Sequence, residues 1–228
     1  MTGRILVLPL LLFSVLLTAQ DFYTSFARGK WDRTEWLTVK GPRFPYVYEM
    51  VQNDDHITNP VVAKYAKSYG GAVYSAQVLK YHFEGDLTVS AKMSFDQRMA
   101  PLLVIAPELG RSADGKYPEF REHYEIVLFD QGINIWHHLW RDGKPYWYKA
   151  AYMKAAFKPK TVYELQVQLL YTPKGCQLIA RCGGHELGYT ELSMRHSLMY
   201  VGLIACEGNN RFYDFKVTVP AKKAPKRK

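Results

Sequence analysis

The chain has 228 residues, 48% of them hydrophobic and 14% aromatic, with a formal net charge of +9 at pH 7. Five of the positive charges crowd the end of the chain (Lys222, Lys223, Lys226, Arg227, Lys228) and one, Arg4, sits at its start, which leaves the body at +3. A nearly balanced body argues against nucleic-acid binding as the main task.

The chain opens with Arg4, an apolar run from Ile5 to Leu17, and the small residues Thr18 and Ala19. A basic start, an apolar core and a small residue at the break describe a secretory signal peptide. Cleavage is expected near Ala19, giving a mature chain from about Gln20. The run is shorter than the ~20 residues of a membrane span, and no later stretch is long enough, so the mature protein is expected to be soluble, with no transmembrane segment. No cysteine lies near the break, which speaks against a lipid anchor. Residues 20–220 have the size of one β-sandwich domain. The ending AKKAPKRK, 221–228, reads as a disordered basic tail, a solubilising end or a contact for anionic surfaces.

Helix signals are scarce, and Asn59 to Gly70 is the best candidate for a short helical or irregular piece. Short runs rich in Val, Ile, Tyr, Trp and Phe, divided by Gly, Pro and Asp, predict strands and turns elsewhere. In chain order these are EWLTVK, YVYEMVQ, Ala72–Phe83, Leu87–Phe95, PLLVIAP, EIVLF, INIWHHLW, PYWYKAAYM, VYELQVQLLY, CQLIARC, LMYVGLIACEG and RFYDFKVTV. Leu87, Val89, Ala91, Met93 and Phe95 alternate with polar residues, as in a strand with one buried face. PLLVIAP is apolar on both faces, as a covered central strand would be. Such a set predicts an all-β, two-sheet antiparallel sandwich or jelly roll.

Of the three cysteines, Cys176 and Cys182 are six residues apart in one strand, about 20 Å when extended. That is too far for a bridge, whose Cα atoms lie within ~7 Å. Cys206 can pair with either, or all three stay buried free thiols. No Cys/His spacing suggests zinc; CGGH, Cys182 to His185, reads as a turn. Gln52 to His56, QNDDH, offers hard oxygen ligands for Ca²⁺ or forms a solvated loop; no other cofactor is indicated.

Three pieces line up in order: FEGDLTVSAKMSF, KPKTVYELQVQLLYTPKGCQLIARCGG and SLMYVGLIACEGNNRFYDFKVTV. This order, from Phe83 to Val219, resembles the concanavalin A-like lectin and glucanase superfamily, which includes laminin G-like domains. The resemblance implies a jelly roll and a carbohydrate context, with the site on the concave sheet. It implies no reaction, since members include binding modules, hydrolases and lyases.

The hairpin from Glu125 to Trp140 carries the candidate site. With Gln131–Gly132 as a two-residue loop, Ile126 would face His137 and Leu128 would face Ile135. One face then holds Tyr124, Ile126, Leu128, Ile133, Ile135, His137 and Leu139, and belongs in the core. The other holds His123, Glu125, Val127, Phe129, Asn134, Trp136, His138 and Trp140. Sugar sites need flat apolar surfaces for pyranose faces and polar groups for hydroxyls, and this face mixes the two. Arg141, Tyr146, Trp147 and Tyr148 are expected to rim the same groove. The competing reading is that the tryptophans simply pack.

Retaining glucanases of the resembled superfamily carry acidic residues at alternate positions of one strand; that pattern is absent. Glu122 and Glu125 point to opposite faces. Glu125, His123 and His138 remain the candidates for acid–base chemistry. The expectation is therefore an exported carbohydrate-binding protein. A polysaccharide hydrolase or lyase using the same face, or a structural or protein-binding envelope domain, are the alternatives. The sugar and the oligomeric state stay open.

Overall fold

A computed structural model of the chain describes residues 21–65, 71–96, 99–194 and 198–220. The expected leader, 1–19, and the expected basic tail, 221–228, lie outside the described residues. Two antiparallel sheets face each other. The first contains β1 (Phe22–Ser25), β3 (Val51–Gln52), β4 (Ile57–Thr58), β7 (Leu87–Phe95), β12 (Tyr163–Thr172), β13 (Gly175–Cys182), β14 (His185–Glu191), β16 (Asn210–Phe212) and β17 (Asp214–Thr218). Its order runs β14-β13-β12-β7-β16-β4-β3; β17 continues β16 along β7 and carries β1 on its far side. The second contains β2 (Trp36–Thr38), β5 (Ser75–Leu79), β6 (Phe83–Glu84), β8 (Met99–Arg111), β9 (Pro118–Phe129), β10 (Gly132–Arg141), β11 (Lys144–Lys154) and β15 (Leu198–Ala205). Its order is β11-β10-β9-β8-β15-β5-β2, with β6 also beside β15.

The alternation read in Leu87–Phe95 is the reason the sheets close on each other. All five apolar residues of β7 are buried, and Leu165, Val167 and Leu169 of β12 sit opposite Ala91, Val89 and Leu87. Tyr124, Ile126, Leu128, Ile133 and Ile135 meet them from the other sheet. β8 is covered on both sides. Leu103 and Ile105 enter the core between the sheets, whereas Leu102, Val104 and Ala106 join a second cluster on the outer face under Val39 and Tyr74, with Phe44 at its margin.

Three expected elements differ. YVYEMVQ pairs only at Val51–Gln52. Its tyrosine alternation serves ring packing instead: Tyr46 lies 5.0 Å from Tyr48 and 5.3 Å from Tyr65. Ala72–Phe83 divides into β5 and the start of β6. The described part of Asn59–Gly70 holds a 3₁₀ turn, Ala63–Tyr65, and an isolated antiparallel bridge from Val61 to Ala72; the rest lies outside the described residues.

Gly202 occupies the middle of β15, between β8 and β5. A Cβ there would fall 2.6 Å from Cα of Val78 and against the Gln77 carbonyl. Backbone cannot yield as a flexible side chain can, so Gly202→Ala should destabilise by about 1–3 kcal/mol or more, read as a lowered Tm. All three cysteines are free, and burial pushes the thiols of Cys176 and Cys182 up to about 12. Alkylation in denaturant should therefore label three thiols without reductant, and mass spectrometry showing one would contradict the fold's sulfur chemistry.

Candidate functional site

The hairpin turn is Asp130–Gln131, not Gln131–Gly132. Gly132 is already in β10 and pairs with Phe129. Its missing side chain lets the Met153 carbonyl of β11 press against the strand, so the glycine serves close approach rather than the turn. Pairing shifts by two residues: Ile126 faces Ile135, and Tyr124 faces His137. A shift of two preserves the faces. Glu125 stands opposite Trp136, and His123 opposite His138. On the other side of β10, Trp136 faces Lys149 and His138 faces Trp147, the register slipping past Ala150. Trp136, His138 and Trp147 thus share the outer face with His123 and Glu125.

Beside the covering segment around Phe44 and Tyr74 a cleft of about 220 Å³ opens on this face. Glu125 and His138 are in its lining, together with Trp136 and Trp147, and Arg43 and Glu207 add charged groups. A second cavity of about 280 Å³ shares Arg43, Cys206 and Glu207 and continues past Tyr46 and Tyr74.

Rings are stacked in a row from β9 to β11. Phe120 and His123 are 4.4 Å apart, His123 and His138 4.5 Å, and His138 and Trp147 6.4 Å, with interplanar angles of 27°, 21° and 15°. The Arg43 guanidinium ends the row, 4.6 Å over Trp147. Beneath the cleft, His123, Glu125 and His138 are only 1%, 6% and 4% exposed. His123 Nε2 is 3.3 Å from one carboxylate oxygen of Glu125, and His138 Nε2 is 3.2 Å from the other. The second approach lacks hydrogen-bond direction, so His138 Nε2 has no hydrogen-bond partner, and neither has His123 Nδ1. Burial pushes the His123 imidazole down to about 4, against the pull of Glu125. Burial also opposes ionisation of Glu125, yet the two histidines outweigh it and hold its carboxyl well below the usual range.

No family model matches the chain, and no curated protein matches it in sequence. Solved structures do match in shape. A carbohydrate-binding module, CBM66 from Bacillus subtilis, superposes with a TM-score of 0.52 at 10% identity, covering 81% of this chain and 96% of that one. A legume lectin-like domain from Entamoeba histolytica gives 0.54 at 14%, covering 86% and 97%. The Bacillus licheniformis β-glucanase gives 0.55 at 9%, covering 89% and 100%. The chain has the concanavalin A-like jelly-roll fold. At such identities the likeness is one of fold alone.

Within this jelly roll the expected site residues separate. Trp136, His138 and Glu125 line the cleft, with His123 directly behind Glu125. Asn134 lies on the same face, buried, outside the cleft lining. Trp140 also lies outside that lining; its indole N–H donates to the Phe120 carbonyl at 3.1 Å, and the Arg121 guanidinium covers its ring. Arg141, Tyr146 and Tyr148 do not rim the groove. Tyr146 is paired with Leu139 and Tyr148 with His137, and strand alternation sends them, with Arg141, to the opposite face; Arg141 instead covers the Tyr146 ring.

His137 is buried on the core-facing side, stacked on the Tyr124 ring at 4.2 Å, with polar groups at both ring nitrogens. Its Nε2 is 2.9 Å from Glu122, its Nδ1 2.9 Å from the Tyr148 hydroxyl and 3.6 Å from Glu191 of the other sheet. Glu191 also accepts from Tyr189 and Ser193. This cluster ties β10 to the first sheet at the open edge of the jelly roll.

In the QNDDH segment Asp54 pairs with Arg28, and His56 lies 2.6 Å from Asp55 and 3.2 Å from Asn53, so its carboxylates already have cationic or polar partners. Cys182 and His185 face each other across the β13–β14 turn. Among the described residues, the group of three metal-competent side chains that converges is His123, Glu125 and His138. Arg43, Cys206 and Glu207 entered the site without a sequence signal. They come from a proline-bearing loop and from the end of β15, and only folding brings them beside β10.

Proposed function

We propose that this chain is an exported carbohydrate-binding protein that holds a glycan in the cleft between Trp136, Trp147 and Arg43. One observation carries this reading: two indoles stand with Glu125, His138, Arg43 and Glu207 around a single opening. Aromatic faces match the apolar faces of sugar rings, and the surrounding acceptors and donors match hydroxyls. The second cavity, sharing Arg43 and Glu207, lengthens the opening towards the size of an oligosaccharide. Fold neighbours that bind sugars, from the carbohydrate-binding module CBM66 to a β-agarase complexed with oligoagarose, support a sugar context. The Ile5–Leu17 apolar run read as a signal peptide supports export, and the secreted form should begin near Gln20 by mass spectrometry.

A glycan array with the purified mature protein tests the proposal. Selective retention of a polysaccharide or oligosaccharide class is the expected result; a blank array across plant, algal and bacterial glycans would remove it. Glu125, His138 and Glu207 in one cleft also support a second reading, cleavage of the bound glycan by acid–base chemistry. New reducing ends would mark hydrolysis and rising ultraviolet absorbance from an unsaturated uronate would mark elimination, each abolished by Glu125→Gln.

A further inference from the structure

We propose that His123, Glu125 and His138 bind one divalent first-row transition-metal ion of the Zn²⁺ type, with a coordination position open to the cleft. The first ground is spacing. A tetrahedral ion holding nitrogen and oxygen at about 2.0–2.1 Å sets neighbouring donors about 3.3–3.4 Å apart. The two histidine–carboxylate separations are 3.3 and 3.2 Å, and one donor atom from each residue lies within 4.8 Å of the others.

The second ground is an unmet group. Buried polar atoms are nearly always hydrogen-bonded. His138 is 4% exposed, lines the cleft, and leaves Nε2 without a hydrogen bond although a carboxylate oxygen is 3.2 Å away. A nitrogen so close to an anion, and not directed at it, is placed as two ligands of one ion are placed.

The third ground is the donor set. His123 and His138 are stacked nearly parallel, at 21°, so binding must turn one ring to bring both Nε2 lone pairs onto the ion. Two imidazoles and one carboxylate favour zinc-like ions, whereas Ca²⁺ and Mg²⁺ prefer all-oxygen shells. Glu125 and His138 open onto the cleft while His123 lies behind, so a water or a ligand oxygen arriving through the cleft would complete the shell. This site stands apart from the sugar reading, because zinc is measured without any glycan.

The test is calorimetric titration of the chelator-treated full protein with Zn²⁺, followed by its melting temperature. One ion per chain and a raised Tm are expected, with no comparable response to Ca²⁺ or Mg²⁺. His138→Ala and Glu125→Gln, folded by circular dichroism, should each lose more than about a hundredfold in zinc affinity, since even outer partners of a site are worth 10–100-fold. His185→Ala, an exposed histidine elsewhere, should bind as the parent does. If those variants do not fold, X-ray absorption on the zinc-loaded parent decides: a shell of two imidazoles and oxygen supports the site. Absence of zinc binding, unchanged affinity in the folded variants, or a sulfur ligand such as Cys206 would overturn it.

Discussion

Ile135→Ala is expected to lower the unfolding free energy by about 2–5 kcal/mol, the cost of an aliphatic side chain removed from a packed interior. Ile135 is fully buried, lies opposite Ile126 and Ala151, and belongs to the core between the two sheets. The flanking strands are held by their own ladders, so the cavity cannot collapse cheaply. The effect should appear as a shifted urea midpoint with an unchanged slope, since the native and denatured surfaces stay the same. Any glycan affinity found for the parent should survive, because Ile135 points away from the cleft. Loss of binding with unchanged stability would mean that the faces of β10 are assigned the wrong way round.

Trp147→Ala should give the reverse pattern. The indole is 42% exposed, lines the cleft and carries the Arg43 guanidinium on its face. Removing a stacked aromatic anchor costs about 1–3 kcal/mol of binding, which is roughly 5- to 150-fold in Kd. Stability should change less than binding does, since the half-exposed indole gives up only part of its surface, to His138 and Arg43. Trp136→Ala should weaken binding by a similar amount with a larger stability cost, because Trp136 also packs against the outer apolar cluster. Trp140→Ala serves as the contrast. Its ring is engaged by Phe120 and Arg121 outside the cleft lining, so its loss should move Tm more than Kd. Affinity electrophoresis on the glycan identified by the array, beside thermal melts, separates these outcomes. Equal binding by Trp147→Ala and the parent would place the glycan elsewhere on the molecule.

Much of the architecture is local in origin, and so was readable residue by residue. Leu87 to Phe95 alternates because one sheet face must leave water, and β7 spans those same residues. PLLVIAP is apolar throughout because β8 is covered on both sides. The turn of the β9–β10 hairpin was less readable: the Asp-Gln-Gly run permits two loops, and the choice depends on how closely Met153 approaches Gly132 from the third strand. That contact is not encoded within the hairpin. β1, β4 and β14 went unanticipated; β14 at the sheet's end buries little, so its apolar period is weak.

For the site, the sequence by itself determined which side chains of β9 and β10 share a face. Period-two alternation survives any even shift of register, so Glu125, Trp136 and His138 stay together whichever loop is drawn. It also placed the chain among all-β sandwiches, because strand-length apolar runs with scarce helix signals leave few other ways to bury that surface. Only the tertiary structure decided that Arg43 and Glu207 join those residues, that Arg141 and Tyr146 leave them, and that His123 and His138 converge on one carboxylate. These are contacts between segments dozens of residues apart, or between strands whose register a third strand sets. Their geometry arises from packing two twisted sheets and a covering loop, which no local pattern specifies.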